Sequence, residues 1–187
     1  MNDAMKKFMK RMGWVLLIVF SIRCGWSWRE LCSNFSIYSL FGFAGEAIGI
    51  TTFIAILYEK LLWRYDCTLG WPVLYKKYEG KIKSNYDSKD REITLTVKQS
   101  LFSVFVFLTT KESRSKAITA DIINRDGEYI LCYSYLNRPK VEIRERSEIH
   151  YGTSILSIGE KSQTLEGEYY TDRNTAGDIC LRKTDEV

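Results

Sequence analysis

The 187-residue chain carries 27 Lys and Arg against 23 Asp and Glu, a formal net charge of +4 that is unevenly spread. Residues 1–66 hold eight basic and five acidic side chains, whereas residues 67–187 hold 19 and 18, so the larger part lacks the basic stripe that drives polynucleotide binding by counterion release. Five scattered cysteines and one histidine, with no CxxC pair, argue against a metal site or a disulfide framework and for reduced thiols in a cytoplasmic domain.

Two apolar runs come first, GWVLLIVFSIRCGWSW at 13–28 and LFGFAGEAIGITTFIAILYEKLLW at 40–63. The second has 24 residues, enough for a hydrocarbon core of ~30 Å at 1.5 Å per residue. The first is shorter and interrupted by Arg23, a length that also fits a signal peptide. No small-x-small cleavage site follows it, and a second apolar run comes soon after, so the pair reads as a two-helix transmembrane hairpin. Lys6, Lys7, Lys10 and Arg11 precede the first run, and Lys60, Arg64, Lys76 and Lys77 follow the second. By the positive-inside rule both ends of the hairpin are cytoplasmic. Trp14, Trp26, Trp28 and Trp63 lie near the span ends, where amphipathic rings favour the interface.

Arg23 and Glu46 are ionisable residues within the spans, and burying either charge alone costs about 2.5–3.5 kcal/mol or more. Their depths predict a polar pair inside the membrane. Two roles stay open for it: an internal ion pair holding one hairpin together, or a polar track that lines a lesion when several hairpins assemble. Gly42, Gly45 and Gly49 include one Gly-x-x-x-Gly spacing, which permits close helix approach. Packing within the hairpin is the commoner use of such glycines.

The chain therefore divides into a tail and helical hairpin at 1–64, a linker at 65–72 and a strand-rich domain at 73–187. Eight strands are predicted, at 77–85, 91–98, 102–110, 116–124, 128–136, 151–158, 164–172 and 178–183. They are short, evenly spaced and separated by turn signals such as Asp126-Gly127, with no helical period between them. Ile93, Leu95 and Val97 alternate with Thr94, Thr96 and Lys98, giving one dry face and one wet face. Eight such strands in an up-and-down meander close into a compact antiparallel barrel, filled by side chains or holding one small ligand. The third strand is apolar on both faces and is expected to pack against the membrane, another subunit or the 143–150 segment.

Chain parity places the turns after strands one, three, five and seven at the end away from the linker. That end gathers Tyr86, Thr110, Ser113, Arg114, Asn137, Arg138 and Arg173, and barrel mouths are where ligands bind. Tyr78, Tyr133, Tyr135 and Tyr169 fall on inward positions and offer stacking surfaces with hydroxyl handles. Arg173, with Arg114 as a second candidate, supplies forked donors suited to phosphate oxygens, and the Asn137 amide suits a base edge. Singly, each of these residues more often serves core or solvent; their convergence suits a small phosphorylated aromatic molecule. Catalytic residues are not expected. His150 has no placed partner, Asp121 is an isolated acid for which the surface is the commoner place, and no nucleophile elbow or phosphate loop occurs.

WPVLYKKYEG at 71–80, LCYSYLNRP at 131–139 and LEGEYYTDRNTAGDICLR at 165–182, behind a two-span hairpin, resemble the CD-NTase-associated membrane effectors of bacterial CBASS antiphage systems. These are two-transmembrane, β-strand-rich effectors with a minimal β-barrel. The resemblance covers nearly the whole chain. It implies a cytoplasmic barrel on the bacterial inner membrane that binds a cyclic dinucleotide made by a partner nucleotidyltransferase. It also implies ligand-driven homo-oligomerisation, membrane disruption and growth arrest or death, with no cofactor beyond the ligand. Carried onto this chain, the implied ligand contacts are Tyr78, Thr110, Asn137, Tyr169 and Arg173; the Arg23–Glu46 pair is read from the residues alone. Two other readings compete, a membrane-tethered carrier with an open apolar cavity and an assembly module that needs no ligand.

Overall fold

A computed structural model describes residues 3–33, 36–86, 89–145 and 147–184. The chain forms two compact units, Met1–Trp71 and Pro72–Val187. Asp87, Ser88 and Arg146, in two of the loops expected at the mouth, lie outside the described residues.

The first unit is helical, with α1 at Asp3–Trp26, α2 at Trp28–Ser33 and α3 at Ile37–Lys60. Helix α1 begins about ten residues before the apolar run. Met, Lys and Ala in that stretch are good helix formers, and nothing there breaks the period. Ser36 starts α3 by accepting a hydrogen bond from the Tyr38 amide at 3.2 Å, as an N-cap hydroxyl does. Helices α1 and α3 pack together, and α3 buries Phe43, Ala47 and Thr51, one stripe at spacing four. Phe8 meets Tyr58 at one end, with ring centroids 5.6 Å apart.

At the other end Arg23 Nε donates to Glu46 Oε2 at 2.5 Å, and the guanidinium lies 4.2 Å from the centre of the Phe43 ring. The ionisable pair thus forms within one hairpin. The glycines depart from expectation: a Cβ added at Gly42, Gly45 or Gly49 would meet nothing within 4 Å. They do not serve packing inside this hairpin, because Phe43, Ala47 and Thr51 occupy the buried stripe. Among the described residues one helix, α3, is long and apolar enough to cross a membrane, with mean hydropathy 1.8. Helix α1 is as long, with Lys6, Lys7, Lys10 and Arg11 in its first half and Arg23 in its last turn.

The linker is tied to both long helices. Asp66 accepts hydrogen bonds from Arg11, from the Tyr58 hydroxyl at 2.5 Å and from the Thr68 hydroxyl at 2.6 Å. Lys7 Nζ donates to the carbonyls of Thr68 and Leu69. The Thr68 hydroxyl, then Tyr58 and the Arg11 charge, hold the Asp66 carboxyl down at about 2.

The second unit is a closed barrel of eight antiparallel strands in sequence order: β1 Lys77–Ser84, β2 Asp90–Gln99, β3 Val104–Thr110, β4 Ser113–Arg125, β5 Glu128–Pro139, β6 His150–Ile158, β7 Thr164–Thr171 and β8 Ala176–Lys183. β1 pairs with β8 and closes the ring, which leaves no edge strand. Strands β4 and β5 run longer than their apolar alternation. A register shift between Ala117 and Thr119 switches the parity of β4, a bulge that leaves one residue unpaired. Ser115 therefore points inward at one end while Ile122, not Asp121, is buried at the other. Asp121 is exposed, as is Phe105 on the outer face of β3.

The half of the barrel nearer the chain's entry is solid. Leu95, Leu131, Leu156, Leu165 and Leu181 are fully buried there, each side chain contributing about 1.5–3 kcal/mol by leaving water. The 72–76 segment laps across this end. Gln99 accepts from the Leu74 amide at 2.8 Å and donates to the Pro72 carbonyl at 2.9 Å. Tyr78 belongs here too: its hydroxyl donates to the Ser162 carbonyl at 2.8 Å and accepts from the Tyr75 amide at 3.0 Å.

Candidate functional site

The opposite half of the barrel is hollow. A cavity of about 560 Å³ opens there, within the ~300–1,000 Å³ usual for small-molecule sites. The register of the strands explains why it exists. Across one layer Leu108, Ser115, Asn137 and His150 are successive partners, and across the next Tyr133, Ser154, Tyr169, Gly177 and Ser84 are. Small polar and glycine positions thus alternate with tyrosines where the other half has leucines. Gly152 is what lets Tyr135 stand in the wall, since an added Cβ would lie 2.4 Å from the end of its ring. Gly177 does the same for Tyr169, where a Cβ would come within 2.8 Å of the ring and 1.9 Å of the Lys83 carbonyl.

Four of the five residues expected to contact ligand, Thr110, Asn137, Tyr169 and Arg173, line this cavity. Tyr78 does not. It is an inward residue, as its alternation requires, but it stands at the sealed end with its hydroxyl committed to Ser162 and Tyr75, and burial pushes its phenol up to about 12. Arg114 and Arg138 are also absent from the mouth. They are register partners on β4 and β5, exposed on the outer face beside the inward Ser113, Ser115 and Asn137. The sequence reading missed Arg91, Ser115, Ser154, His150 and Thr171, all of which line the cavity. Arg91 was within reach, because it extends the inward set Ile93, Leu95 and Val97 by one step.

Local bonds orient the lining. Ser115 Oγ donates to Asn137 Oδ1 at 2.9 Å, with both residues buried. This fixes the amide and leaves its Nδ2 donors free of protein acceptors among the described residues. Thr110 Oγ1 accepts from the amides of Glu112 and Ser113 at 3.0 and 2.8 Å, so it shapes the two-residue turn between β3 and β4. The turn carrying Arg173 is built likewise. Thr171 and Thr175 hydroxyls meet at 2.6 Å, Asn174 takes a positive φ of 56°, and Asp172 accepts from the Tyr151 amide at 3.1 Å. Arg173 itself reaches Ser147 Oγ at 3.4 Å. His150 Nδ1 donates to the Glu148 carbonyl at 2.9 Å.

The electrostatics fit an anionic ligand with an aromatic body. Among the described residues, two guanidinium groups, Arg91 and Arg173, line the cavity with one carboxylate, Glu112, and arginine matches phosphate oxygens in pairs. Tyr133, Tyr135 and Tyr169 give stacking faces. Burial holds two of these phenols in the neutral form. Burial, reinforced by Tyr133, Tyr169 and Asp172, raises Tyr135 well above the ordinary phenol range, and burial takes Tyr133 to about 12. A lipid carrier would need an apolar cavity; the hydroxyls, amide and guanidinium groups here do not provide one.

Comparison with known proteins agrees with this chemistry. Residues 71–183 match the family model described as Cap15, cyclic dinucleotide receptor domain. CD-NTase-associated protein 15 of Staphylococcus schleiferi is 31% identical over 190 aligned residues, covering 98% of this chain and 99% of that relative.

Proposed function

The chain belongs to the Cap15 cyclic dinucleotide receptor family of CBASS effectors, and from that premise we propose that ligand entering the mouth of the barrel assembles the protein into membrane-disrupting oligomers. The ligand is a cyclic dinucleotide from a partner nucleotidyltransferase, with Arg173 on a phosphate and Asn137, Thr110 and Tyr169 around the rest. Helices α1 and α3 both span the bacterial inner membrane, Arg23 paired with Glu46 between them, and both ends of the hairpin face the cytoplasm with the barrel. The cavity carries this reading: it lies wholly within the residues matched by the receptor family and, among the described residues, combines two arginines with four tyrosines.

Assembly is a population shift, so ligand must bind the oligomer more tightly than the monomer, by ~1.4 kcal/mol for each tenfold preference. The unpartnered glycine face of α3, Gly42, Gly45 and Gly49, supports helix contacts between copies, because small residues allow close approach in lipid. The test is full-length protein in dye-loaded liposomes, titrated with a panel of cyclic dinucleotides. Dye release with one member and not with its linear form is expected. No release, with no binding by calorimetry to any member, would refute the proposal.

A further inference from the structure

The floor of the cavity holds a feature that the rim does not explain. Tyr133 on β5 and Ser154 on β6 are direct register partners, 2% and 1% exposed, and both line the cavity. Neither the Tyr133 hydroxyl nor Ser154 Oγ has a partner in hydrogen-bond geometry among the described residues, although Ser154 is near enough to favour the ionised phenol slightly against the effect of burial. Buried polar atoms are nearly always satisfied, so such a pair asks for an explanation. Tyr169 is the next register partner of Ser154, and the Tyr135 ring lies 5.8 Å from that of Tyr133, but neither brings its hydroxyl into hydrogen-bond geometry with the pair; Ile82, Leu108 and Ile179, which also line the cavity, offer no polar side-chain atom.

We propose that Tyr133 and Ser154 form the specificity subsite of the receptor, reading the polar edge of one base while the phosphates stay at Arg91 and Arg173. The inference rests on the cyclic dinucleotide reading above and adds an orientation to it. Polarity grades from guanidinium groups at the mouth to two neutral hydroxyls at the floor, so the uncharged base enters first. Each hydroxyl donates one hydrogen bond and accepts others, which suits the adjacent donor and acceptor of a base edge. Phosphate contacts position a ligand and base contacts discriminate; the two ends of the cavity divide these tasks.

The experiment compares full-length wild type with Tyr133→Phe, Ser154→Ala and Arg173→Ala by calorimetry against cyclic di-AMP, cyclic di-GMP, cyclic di-UMP and cyclic UMP-AMP. Arg173→Ala is expected to weaken all binding members by a similar factor. The floor variants are expected to weaken the preferred ligand tenfold or more and the others less, flattening the preference. Their melting temperatures without ligand are expected to hold or rise, because removing an unsatisfied buried hydroxyl costs the folded state nothing. Unchanged affinity in both floor variants, or an equal loss across the panel, overturns the subsite while leaving the receptor reading intact. So does a fall in melting temperature with preference unchanged, which would mark a structural water network. Wild type binding no member of the panel would overturn both.

Discussion

Arg173→Ala separates ligand recognition from folding more cleanly than any other change in the barrel. The side chain sits on the β7–β8 turn, and its protein contact among the described residues is one bond to Ser147 Oγ at 3.4 Å, too long to contribute much. Loss of the guanidinium should therefore change barrel stability by under about 0.5 kcal/mol, as for ordinary surface sites. If the same group donates to a ligand phosphate, it gives up a charge-assisted hydrogen bond worth about 1.5–3 kcal/mol. That corresponds to roughly a 10- to 150-fold rise in Kd. Arg173→Lys should fall between, since the charge remains and the paired donors do not. Calorimetry with the best cyclic dinucleotide gives the affinity, and thermal melting of the same full-length samples gives the stability. An alanine variant that binds within twofold of wild type, or that melts several degrees lower, would refute the reasoning.

Four further expectations follow from the packing. Gly152→Ala forces the Tyr135 ring out of its place in the wall; overpacking should cost about 1–3 kcal/mol, or roughly 4 °C of melting temperature per kcal/mol, and ligand affinity should fall with it. Unaltered melting and affinity would show that the wall yields freely. Tyr78→Phe leaves the Ser162 carbonyl and the Tyr75 amide without their partner, a loss of about 1–3 kcal/mol, yet calorimetry should find the ligand affinity unchanged because the residue lies at the sealed end. Asp66 has its carboxyl held down at about 2 from the usual 3.8. Its contribution to stability is thus complete above about pH 4 and disappears as pH falls toward 2; Asp66→Asn should remove that part of the pH dependence in melting curves. Gly45→Leu or Gly49→Leu should abolish liposome leakage and oligomers by crosslinking while sparing ligand binding, and retained leakage would exclude the glycine face as the contact.

Much of this architecture could be read locally. Period-two alternation is a property of a single strand, so the eight strands and the inward set of tyrosines were legible without any neighbour, and so was the apolar length of α3. The polar pair could be read as well, because Arg23 and Glu46 fall at matching depths on two antiparallel helices. Which face of α3 packs could not: Phe43, Ala47 and Thr51 win the contact with α1, and the glycines are left outside.

Alternation says that a side chain points into a barrel but is silent on how far along the axis it stands. That height is decided by register and closure, and it sends Tyr78 to the sealed end while Tyr133, Tyr135 and Tyr169 line the cavity. A bulge at Ala117 reverses the parity of β4 partway along, so that Ser115 and Ile122 both face inward, which no single alternation along the strand predicts. The small inward residues Gly152, Ser154 and Gly177 carry no signal alone. They become a cavity only when the register sets them beside tyrosines, because a hollow is a difference between neighbouring strands and exists only once the strands are paired.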